Sequence, residues 1–350
     1  MASYINVTFN HFAALQEWAG RTQADVYVNV NDMSLHVRRG DRALRMFPMF
    51  QSESNGNFCH VQELSPHARG FGGWRPYETL THTHGRDKVL FKAFLQETGL
   101  RTPAILDAEA PAQDYLLKPK DGSFACGMSG PYRAGQRSPA AEGRIAEQFV
   151  RGRMLKVWYW GSRPFFAHVQ EYPCITGDGV SQAAELVRRE LVAGRVAPDG
   201  YRDLALVFDS LAYQGIARDD VIEPGRSAWI DYRYNRLYSR ESGGSTRMSD
   251  NALEALLRET GTQLQDMGEA LFSLLRKTWQ LPVAISVDGV LDAEGRIWWL
   301  EMNTNSVLPP EGYAVMFEDI FPAQEPAHML GPPRTPSPEG VAPLLAAPAG

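Results

Sequence analysis

Two apolar runs separated by a turn-forming tetrapeptide stand at residues 283–304, VAISVDGVLDAEGRIWWLEMNT. The runs over 283–291 and 296–301 have the composition of β-strands, and Asp292-Ala293-Glu294-Gly295 favours a tight turn. This segment therefore predicts a β-hairpin. Because most of its residues are apolar, we expect the hairpin to be buried, and carboxylates in a buried hairpin need partners.

Three oxygen-bearing side chains converge on one face of this predicted hairpin. Strand residues alternate between faces, so Glu301 and Asn303 share a face. If Leu291 pairs with Arg296 across the turn, Asp288 becomes a diagonal neighbour of Glu301, about 7 Å away at the backbone. Carboxylate and amide oxygens suit Mg²⁺, and two carboxylates this close repel unless a cation lies between them. The pattern predicts a metal site of Asp288, Glu301 and Asn303, with a solvated polar face as the alternative.

A lysine and a glycine-bearing loop lie upstream. Lys118 follows the apolar strand-like run Tyr115–Leu117 and precedes a loop over 122–130 that contains Gly122, Ser123 and Gly127. The ammonium group supplies positive charge and the loop supplies backbone N–H donors, a combination that suits phosphate binding. An ordinary surface turn is the alternative.

Two further segments carry candidate binding groups. The extended segment Glu147-Gln148-Phe149-Val150 can offer backbone N–H and C=O groups to a flat adenine, although an edge strand has the same pattern. Arg233 lies in a polar cluster over 231–235 and can bind an anion with two parallel N–H donors. For Arg233 the alternative is a surface salt bridge.

The N-terminal quarter of the chain has its own pattern. Residues 1–85 predict an N-terminal α/β domain, with a short helix over 12–18 and short strands over 27–30 and 35–37. The stretch 51–83 is rich in Ser, Asn, Gly, Pro and His and predicts either a long loop or a region that contacts with the rest of the chain keep ordered.

The rest of the chain divides into a central domain and a tail. Asp87 is a good N-cap, and the apolar spacing after it predicts a helix that ends at Gly99. An amphipathic helical region over 253–275 has Gly261 as its weak point. Residues 322–350 are rich in Pro and Ala and predict a disordered tail, which leaves 86–321 as the central domain.

Composition narrows the possible partners. The chain has 350 residues with 35 Lys and Arg against 41 Asp and Glu, a net charge of −6, which disfavours a nucleic-acid partner. No apolar run approaches the length of a membrane span, and the first residues lack the pattern of a secretory leader. The three cysteines have no metal-ligand spacing. We therefore expect a cytoplasmic protein that binds neither nucleic acid nor membrane.

Taken in order, these segments resemble the ATP-grasp superfamily, especially carboxylate–amine ligases such as D-alanine–D-alanine ligases. The resemblance covers roughly Asp87 to Phe317. Four blocks carry it: Asp87-Lys88…Lys92…Gly99…Thr102-Pro103; Leu117-Lys118-Pro119…Gly122-Ser123…Gly127-Met128; Glu147-Gln148-Phe149-Val150…Gly152; and Asp288…Glu301-Met302-Asn303-Thr304. The last block is the most specific, because the glutamate stands thirteen positions after the aspartate and the asparagine two beyond it, as in the metal-binding residues of the family.

The resemblance implies a fold, cofactors and residue roles. It implies an α/β protein of α+β subdomains, the ATP-grasp fold, behind an N-terminal α/β domain, with ATP and Mg²⁺ (or Mn²⁺) bound. Met154 stands where such ligases often carry a glutamate for the ribose. The resemblance implies that Lys88 or Lys92, together with Lys118 and the loop residues Gly122, Ser123 and Gly127, binds the phosphates of ATP. It implies that adenine lies against Glu147, Gln148, Phe149 and Val150. The metal is then bound by Asp288, Glu301 and Asn303, and the acyl phosphate by Arg233.

The implied reaction joins a carboxylate to an amine through an acyl phosphate. The substrates are then amino acids, peptides or small metabolites. Two other hypotheses stay open from the sequence: a phosphotransferase that acts on a hydroxyl group, and a nucleotide-binding protein without turnover. The oligomeric state and the identity of the substrates do not follow from the sequence.

Overall fold

The computed structural model describes residues 2–54, 57–107, 111–120, 127–136, 143–193, 204–234, 251–279 and 282–322. Gly122, Ser123 and the predicted tail beyond residue 322 lie outside these ranges. Within them, the chain forms helices and antiparallel β-sheets. This confirms the predicted mixed α and β composition.

The N-terminal part is a helix followed by a five-stranded antiparallel sheet. Its elements are α1 (Ala2–Thr22), β1 (Asp25–Val28), β2 (Leu35–Arg39), β3 (Arg42–Ser54), β4 (Asn57–Val61) and β5 (Ala68–Arg75). The helix predicted over 12–18 is thus longer at both ends. Of the two alternatives for 51–83, the long loop is wrong, because β4 and β5 both pair with the second half of β3. Glycines conceal this strand pattern: Gly72 has no side chain, and the end of the Met49 side chain lies close to the position that a Cβ there would occupy.

A second antiparallel sheet follows, in the order β6-β9-β7-β8. The elements in this part of the chain are α2 (Thr83–Arg86), α3 (Lys88–Glu97), β6 (Ile105–Leu106), β7 (Tyr115–Pro119), β8 (Ser129–Tyr132) and β9 (Arg144–Gln148). Asp87 caps α3 as predicted, because its Oδ1 accepts hydrogen bonds from the backbone N–H groups of Val89 and Leu90 at 2.9 and 3.1 Å. β9 has a neighbour on each side, so the edge-strand alternative for the segment that begins at Glu147 is wrong.

The third large sheet has the order β11-β10-β14-β15 and contains the predicted hairpin. The remaining elements are β10 (Arg153–Trp160), β11 (Arg163–Gln170), β12 (Cys174–Thr176), α4 (Ala183–Ala193), α5 (Leu204–Tyr213), β13 (Ser227–Trp229), α6 (Leu253–Thr260), α7 (Gln263–Leu275), β14 (Ala284–Leu291), β15 (Ile297–Asn303) and α8 (Gly312–Ile320). Gly261, with φ of +63°, separates α6 from α7 as predicted. No helix in the described ranges combines the length and apolar character needed to cross a membrane.

One hydrophobic core crosses the predicted boundary at residue 85. It contains Trp18, Phe50 and Trp74 from the N-terminal part together with Trp158 and Phe317 from the later part. The N-terminal part therefore packs directly on the elements around β10 and α8. The division of the chain at residues 85 and 321 stays a prediction.

Candidate functional site

The predicted hairpin is present, and its register places two carboxylates in direct opposition. Asp288 in β14 pairs with Glu301 in β15. The register predicted from the turn is wrong, because Leu291 pairs with Ile297 rather than with Arg296 and a bulge lies directly after Asp288. The two carboxylates are consequently nearer neighbours than the diagonal pair expected from the sequence.

The register differs because the Asp292 side chain folds a longer turn. Asp292 Oδ1 accepts hydrogen bonds from the backbone N–H groups of Glu294 at 3.1 Å and Arg296 at 2.9 Å, and Oδ2 accepts one from Trp298 Nε1 at 2.8 Å. Arg296 thus belongs to the turn, and β15 starts at Ile297. The longer turn moves every cross-strand partner by one residue, and the bulge adds a second step.

Each carboxylate of this pair lies beside a lysine. Lys156 Nζ is 2.9 Å from Asp288 Oδ1, and Lys88 Nζ is 3.6 Å from Glu301 Oε2. Asn303 Nδ2 donates a hydrogen bond to Asp288 Oδ2 at 2.9 Å. Burial raises the pKa of Asp288; the Lys156 charge opposes this rise and the Glu301 charge adds to it. We call these five residues the metal-ligand cluster, because the three predicted metal ligands meet in it.

Lys156 is a member of the cluster that the sequence analysis missed. It lies in β10 directly opposite Asp288 in β14, and these strands are far apart in the chain. The one local signal is a lysine inside the apolar run Met154–Trp160. Lys156 Nζ also lies 5.5 Å from the ring centroid of Tyr234, which brings the segment around Arg233 next to the metal-ligand cluster.

Lys92, Lys118 and Glu147 form a second group of charges, which we call the buried cluster. Both Nζ atoms contact the same oxygen, Glu147 Oε2, at 2.7 Å from Lys92 and 2.6 Å from Lys118. Lys92 Nζ also donates to Thr102 Oγ1 and to the Pro103 carbonyl oxygen, both at 2.9 Å. These three acceptors use all three N–H donors of Lys92. In the described ranges, Lys118 contacts one acceptor, Glu147.

Burial governs the ionisation of the buried cluster. It lowers the pKa of Lys92 to about 8, against the opposing charge of Glu147. For Glu147, burial alone would raise the pKa, but the charges of Lys118 and Lys92 outweigh burial and the pKa is lowered. The two lysines therefore keep a carboxylate ionised inside the protein.

Helix α3 connects the two clusters. Its Lys88 reaches Glu301, and its Lys92 reaches Glu147. Residues four positions apart lie on the same side of a helix. The metal-ligand cluster and the buried cluster therefore lie along one side of α3, where the second and third sheets meet.

The segment predicted for adenine is partly engaged by its own chain. The backbone N–H of Gln148 donates to the Ala104 carbonyl at 2.9 Å, and that of Phe149 donates to the Asp114 carbonyl at 2.7 Å. Because of these bonds, the backbone carbonyl of Phe149 can accept a hydrogen bond from adenine, but the backbone N–H of Phe149 is already engaged. Val150 forms no backbone hydrogen bond with any residue that the structure describes, so both of its backbone groups can face a ligand.

The glycine loop is described from Gly127 onward, and Gly122 and Ser123 precede the described part. Gly127 has φ of +69°, a conformation that glycine adopts at no steric cost, and its carbonyl accepts a hydrogen bond from Arg144. This is the geometry of a tight turn. The phosphate role of the loop stays a prediction.

Arg233 is paired with a residue of its own segment. Its Nε and Nη2 donate to Asp231 Oδ1 and Oδ2 at 3.0 and 2.8 Å, and both side chains are buried. The surface salt bridge considered from the sequence is therefore wrong, because this ion pair lies inside the protein. The pair fixes the plane of the guanidinium, and the role of Arg233 toward an anion stays a prediction.

The donor set of the metal-ligand cluster fits a divalent cation. Asp288 and Glu301 offer carboxylate oxygens, and the Asn303 amide can turn its oxygen toward a cation bound at Asp288. Outside this mixed set, no group of three or more His, Cys, Asp or Glu residues in the described ranges could hold a metal. A divalent cation between the carboxylates would take over the charge that Lys156 and Lys88 now supply.

No protein-family model matches the chain, and no curated protein matches it. Among solved structures, the chain is similar to a bifunctional glutathione synthetase from Pasteurella multocida (14% identity, TM-score 0.38, 89% of this chain and 44% of that chain). It is also similar to a D-alanine–D-alanine ligase from Bacillus anthracis (13% identity, TM-score 0.33, 67% and 63%). A third is an L-amino acid ligase from Bacillus licheniformis (13% identity, TM-score 0.29, 63% and 41%).

The chain spans between 41% and 63% of the length of these three structures. Their names are those of one synthetase and two ligases. The chemistry proposed for this chain rests on its own residues, which the two clusters along α3 bring together.

Proposed function

We propose that this chain is an ATP-dependent carboxylate–amine ligase of the ATP-grasp type, acting on an amino acid, a peptide or a small metabolite. One observation carries the proposal. Two lysines on the same side of α3 contact carboxylates of the neighbouring strands, Lys88 with Glu301 and Lys92 with Glu147, so the predicted metal ligands lie close to ammonium groups. A bound nucleoside triphosphate needs this combination, with oxygen ligands for a cation next to ammonium groups for the phosphates.

Asp288, Glu301 and Asn303 would hold Mg²⁺ or Mn²⁺. When bound, the ion supplies positive charge that offsets the charge of the β- and γ-phosphates. Lys156 and Lys88, which now balance the two carboxylates, are then able to donate to phosphate oxygens.

The two lysines of the buried cluster have different parts in this proposal. The N–H donors of Lys92 are all taken by protein acceptors, so Lys92 supports Glu147. Lys118 contacts Glu147 alone in the described ranges and keeps donors for a phosphate. Val150 offers its backbone N–H and C=O to adenine, which gives the base a hydrogen-bonding edge next to Glu147.

The proposed reaction has two steps. A carboxylate oxygen of the acid substrate attacks the γ-phosphorus of ATP, the bond to the β,γ-bridging oxygen breaks, and ADP leaves with the electron pair. The amine nitrogen of the second substrate then attacks the acyl carbon, inorganic phosphate leaves, and the nitrogen gives up a proton to solvent. In the first step, Lys156 orients the attacking group and offsets charge on the transferred phosphoryl group.

Arg233 is assigned to the second step. Its guanidinium is held in one plane by Asp231, and the residue that follows it, Tyr234, has its ring centroid 5.5 Å from Lys156 Nζ. A fixed guanidinium can stabilise the negative oxygen that develops when the amine adds to the acyl carbon.

The test is trapping of the acyl phosphate. The full chain is incubated with Mg²⁺, ATP, hydroxylamine and a panel of amino acids and small carboxylic acids, and hydroxamate and ADP are measured by mass spectrometry. We expect both products with at least one acid. ADP formation with phosphorylated product and no hydroxamate would instead support phosphoryl transfer to a hydroxyl group.

The matched variants are Glu301→Gln and Glu294→Gln. Glu301 belongs to the metal-ligand cluster, whereas Glu294 is an exposed residue of the turn in the same hairpin. We expect Glu301→Gln to abolish ADP formation with the fold intact by circular dichroism, and Glu294→Gln to leave it unchanged. Normal magnesium-dependent turnover in Glu301→Gln would remove the metal assignment.

A further inference from the structure

Ser286 of β14 carries a buried hydroxyl group beside the metal-ligand cluster. Its side chain is fully buried, and its hydroxyl oxygen has no hydrogen-bond partner among the residues that the structure describes. A buried hydroxyl without a partner costs free energy of folding, because it has lost its hydrogen bonds to water and has gained none in return. A partner that is offered only when a ligand binds would account for this cost.

The third sheet places Ser286 on the same face as the metal-ligand cluster. Ser286 stands two residues before Asp288 in β14, and alternate residues of a strand lie on the same face. Its cross-strand partner in β15 is Asn303, the predicted amide ligand of the metal. Directly opposed residues of antiparallel strands have Cβ atoms about 4.5–5.5 Å apart, a separation that a hydrogen bond between a serine hydroxyl and an asparagine amide can span.

Ser286 has a second cross-strand neighbour, but the polar group of that neighbour is already engaged. Trp158 lies opposite Ser286 in β10, and its indole N–H donates to the Val307 carbonyl oxygen at 2.8 Å. Of the two residues that flank Ser286 in the sheet, Asn303 is therefore the one whose polar atoms can change partner.

A cation at Asp288 changes what the Asn303 amide requires. Asn303 Nδ2 donates to Asp288 Oδ2 at 2.9 Å, so its N–H group, which carries partial positive charge, points to the carboxylate that is expected to bind the cation. An amide binds a metal through its oxygen, so the Asn303 amide has to turn before it can act as a ligand. The turn moves Nδ2 away from Asp288 and leaves its N–H donors in need of another acceptor.

We propose that Ser286 is this acceptor: its hydroxyl oxygen accepts a hydrogen bond from Asn303 Nδ2 and so holds the Asn303 oxygen toward the cation. Ser286 is a positioning residue, because it acts on the metal site through Asn303 and does not bind the metal itself. This rests on the proposed function, since it requires the metal site of Asp288, Glu301 and Asn303. The hydroxyl is unpaired in the structure because its partner turns toward it only when the cation binds.

The experiment measures Mn²⁺ binding to the full chain, freed of metals with a chelator, by the loss of the EPR signal of free Mn²⁺. Residues that orient a metal ligand through a hydrogen bond contribute about 10- to 100-fold to metal affinity, so we expect Ser286→Ala to bind Mn²⁺ at least about tenfold more weakly than the wild type. The melting temperature of metal-free Ser286→Ala should equal or exceed that of the wild type, because the deleted hydroxyl makes no hydrogen bond there.

The matched control is Ser210→Ala. Ser210 of α5 is also fully buried, but its hydroxyl donates to the Leu206 carbonyl oxygen at 2.9 Å. Loss of this hydroxyl should leave Mn²⁺ affinity unchanged. Wild-type Mn²⁺ affinity in Ser286→Ala overturns the inference. A lower melting temperature of metal-free Ser286→Ala also overturns it, because the hydroxyl would then support the fold itself.

A double-mutant cycle shows whether Ser286 acts through Asn303. Asn303→Ala removes the amide, so adding Ser286→Ala to it should weaken Mn²⁺ binding less than about twofold further. An equal loss of affinity with and without the Asn303 amide overturns the inference, because Ser286 would then act on the site by another route. Asp288→Asn is measured in parallel and should weaken Mn²⁺ binding; unchanged binding in that variant, or no saturable binding to the wild type, would contradict the proposed function instead.

Discussion

The two clusters along α3 are built from the same residue types but differ in burial and in the spacing of their charges. In the buried cluster, Lys92 and Lys118 lie 2.7 and 2.6 Å from one oxygen of Glu147, whose side chain is 3% exposed. In the metal-ligand cluster, Lys88 lies 3.6 Å from Glu301, and their side chains are 12% and 29% exposed. In the first arrangement the carboxylate of Glu147 is enclosed by its two lysines, whereas in the second Glu301 can exchange its lysine for another cation.

This difference in burial and distance suits the buried cluster to structural support and the metal-ligand cluster to ligand binding. A charge that is buried with all its partners in place is costly to unpair, so the buried cluster holds β7, β9 and α3 in fixed positions. A longer and less buried pair contributes less to stability, which allows its partners to change when a ligand arrives. The side of α3 therefore combines a rigid end at Lys92 with an adaptable end at Lys88.

Glu147→Gln should have the largest effect on stability. The substitution keeps the size of the side chain but leaves two buried ammonium groups without a carboxylate. We expect a loss of about 3–5 kcal/mol at pH 7, measured by urea unfolding, because breaking a buried pair leaves uncompensated charge.

The matched control for this prediction is Glu185→Gln, which removes an exposed carboxylate paired with Arg189 on α4 and should cost less than about 1 kcal/mol. A loss in Glu147→Gln as small as that of the control would show that the enclosed carboxylate of Glu147 does not stabilise the fold. The two clusters would then not differ in their contribution to stability, and the assignment of structural support to the buried cluster would be wrong.

Lys156→Gln should have the next largest effect, on turnover. Lys156 is the cation nearest to Asp288, and removing it takes away the group that we assign to the transferred phosphoryl group. We expect ADP formation to fall by about a hundredfold, or about 2.7 kcal/mol, with partial rescue in Lys156→Arg. Lys120→Gln is the control, because Lys120 is half-exposed and lies 4.0 Å from Asp87, and it should change turnover less than twofold. Equal losses of ADP formation in Lys156→Gln and Lys120→Gln would show that the effect comes from the overall positive charge and not from the contact of Lys156 with Asp288.

A third buried group shows what burial does without an ionic partner. His11 of α1 lies 2.7 Å from the hydroxyl of Tyr313, and burial lowers the pKa of His11 to about 3. In the unfolded chain the ordinary value is about 6.5, so between these values the unfolded state binds a proton that the folded state does not. Stability therefore falls as the pH drops below about 6.5, by about 2 kcal/mol at pH 5.

His11→Phe should remove this acid sensitivity. The difference in unfolding free energy between pH 7 and pH 5 should be about 2 kcal/mol smaller in the variant than in the wild type, whatever the variant's stability at pH 7. His67→Gln, which replaces an exposed histidine, should keep the wild-type difference. The same pH dependence in His11→Phe and in the wild type would show that burial in the N-terminal core does not set the protonation of His11.

The sequence predicts the parts of the site that depend on local pattern. The hairpin follows from its turn residues and alternation, and the cap of α3 follows from Asp87. The register of the hairpin could not be predicted, because the side chain of Asp292 encloses Arg296 in the turn and a bulge follows Asp288. Local composition does not reveal where a side chain finds its hydrogen bonds.

The parts that the sequence missed depend on contacts between distant strands. Lys156 joins Asp288 only because β10 lies next to β14. The residues of the buried cluster come from α3, β7 and β9. From the sequence, Lys92 and Glu147 were each predicted to bind ATP, whereas in the structure they contact each other. The N-terminal strands β4 and β5 were hidden by glycines such as Gly72, next to which the end of the Met49 side chain lies.

Lys88→Gln should have the smallest effect, and it tests the adaptable end of α3 directly. The Lys88–Glu301 distance of 3.6 Å is that of a loose ion pair, and the side chains are 12% and 29% exposed, so water can reach Glu301 when the ammonium group is removed. We expect the unfolding free energy to change by less than about 1 kcal/mol, measured by the same urea titration as for Glu147→Gln. Lys92→Gln, one turn away on the same helix, is the matched comparison and should cost more, because Glu147, Thr102 and Pro103 each lose a hydrogen-bond donor. If Lys88→Gln costs as much as Lys92→Gln, the lysine at Glu301 is a structural contact, and a cation could not displace it without loosening the fold.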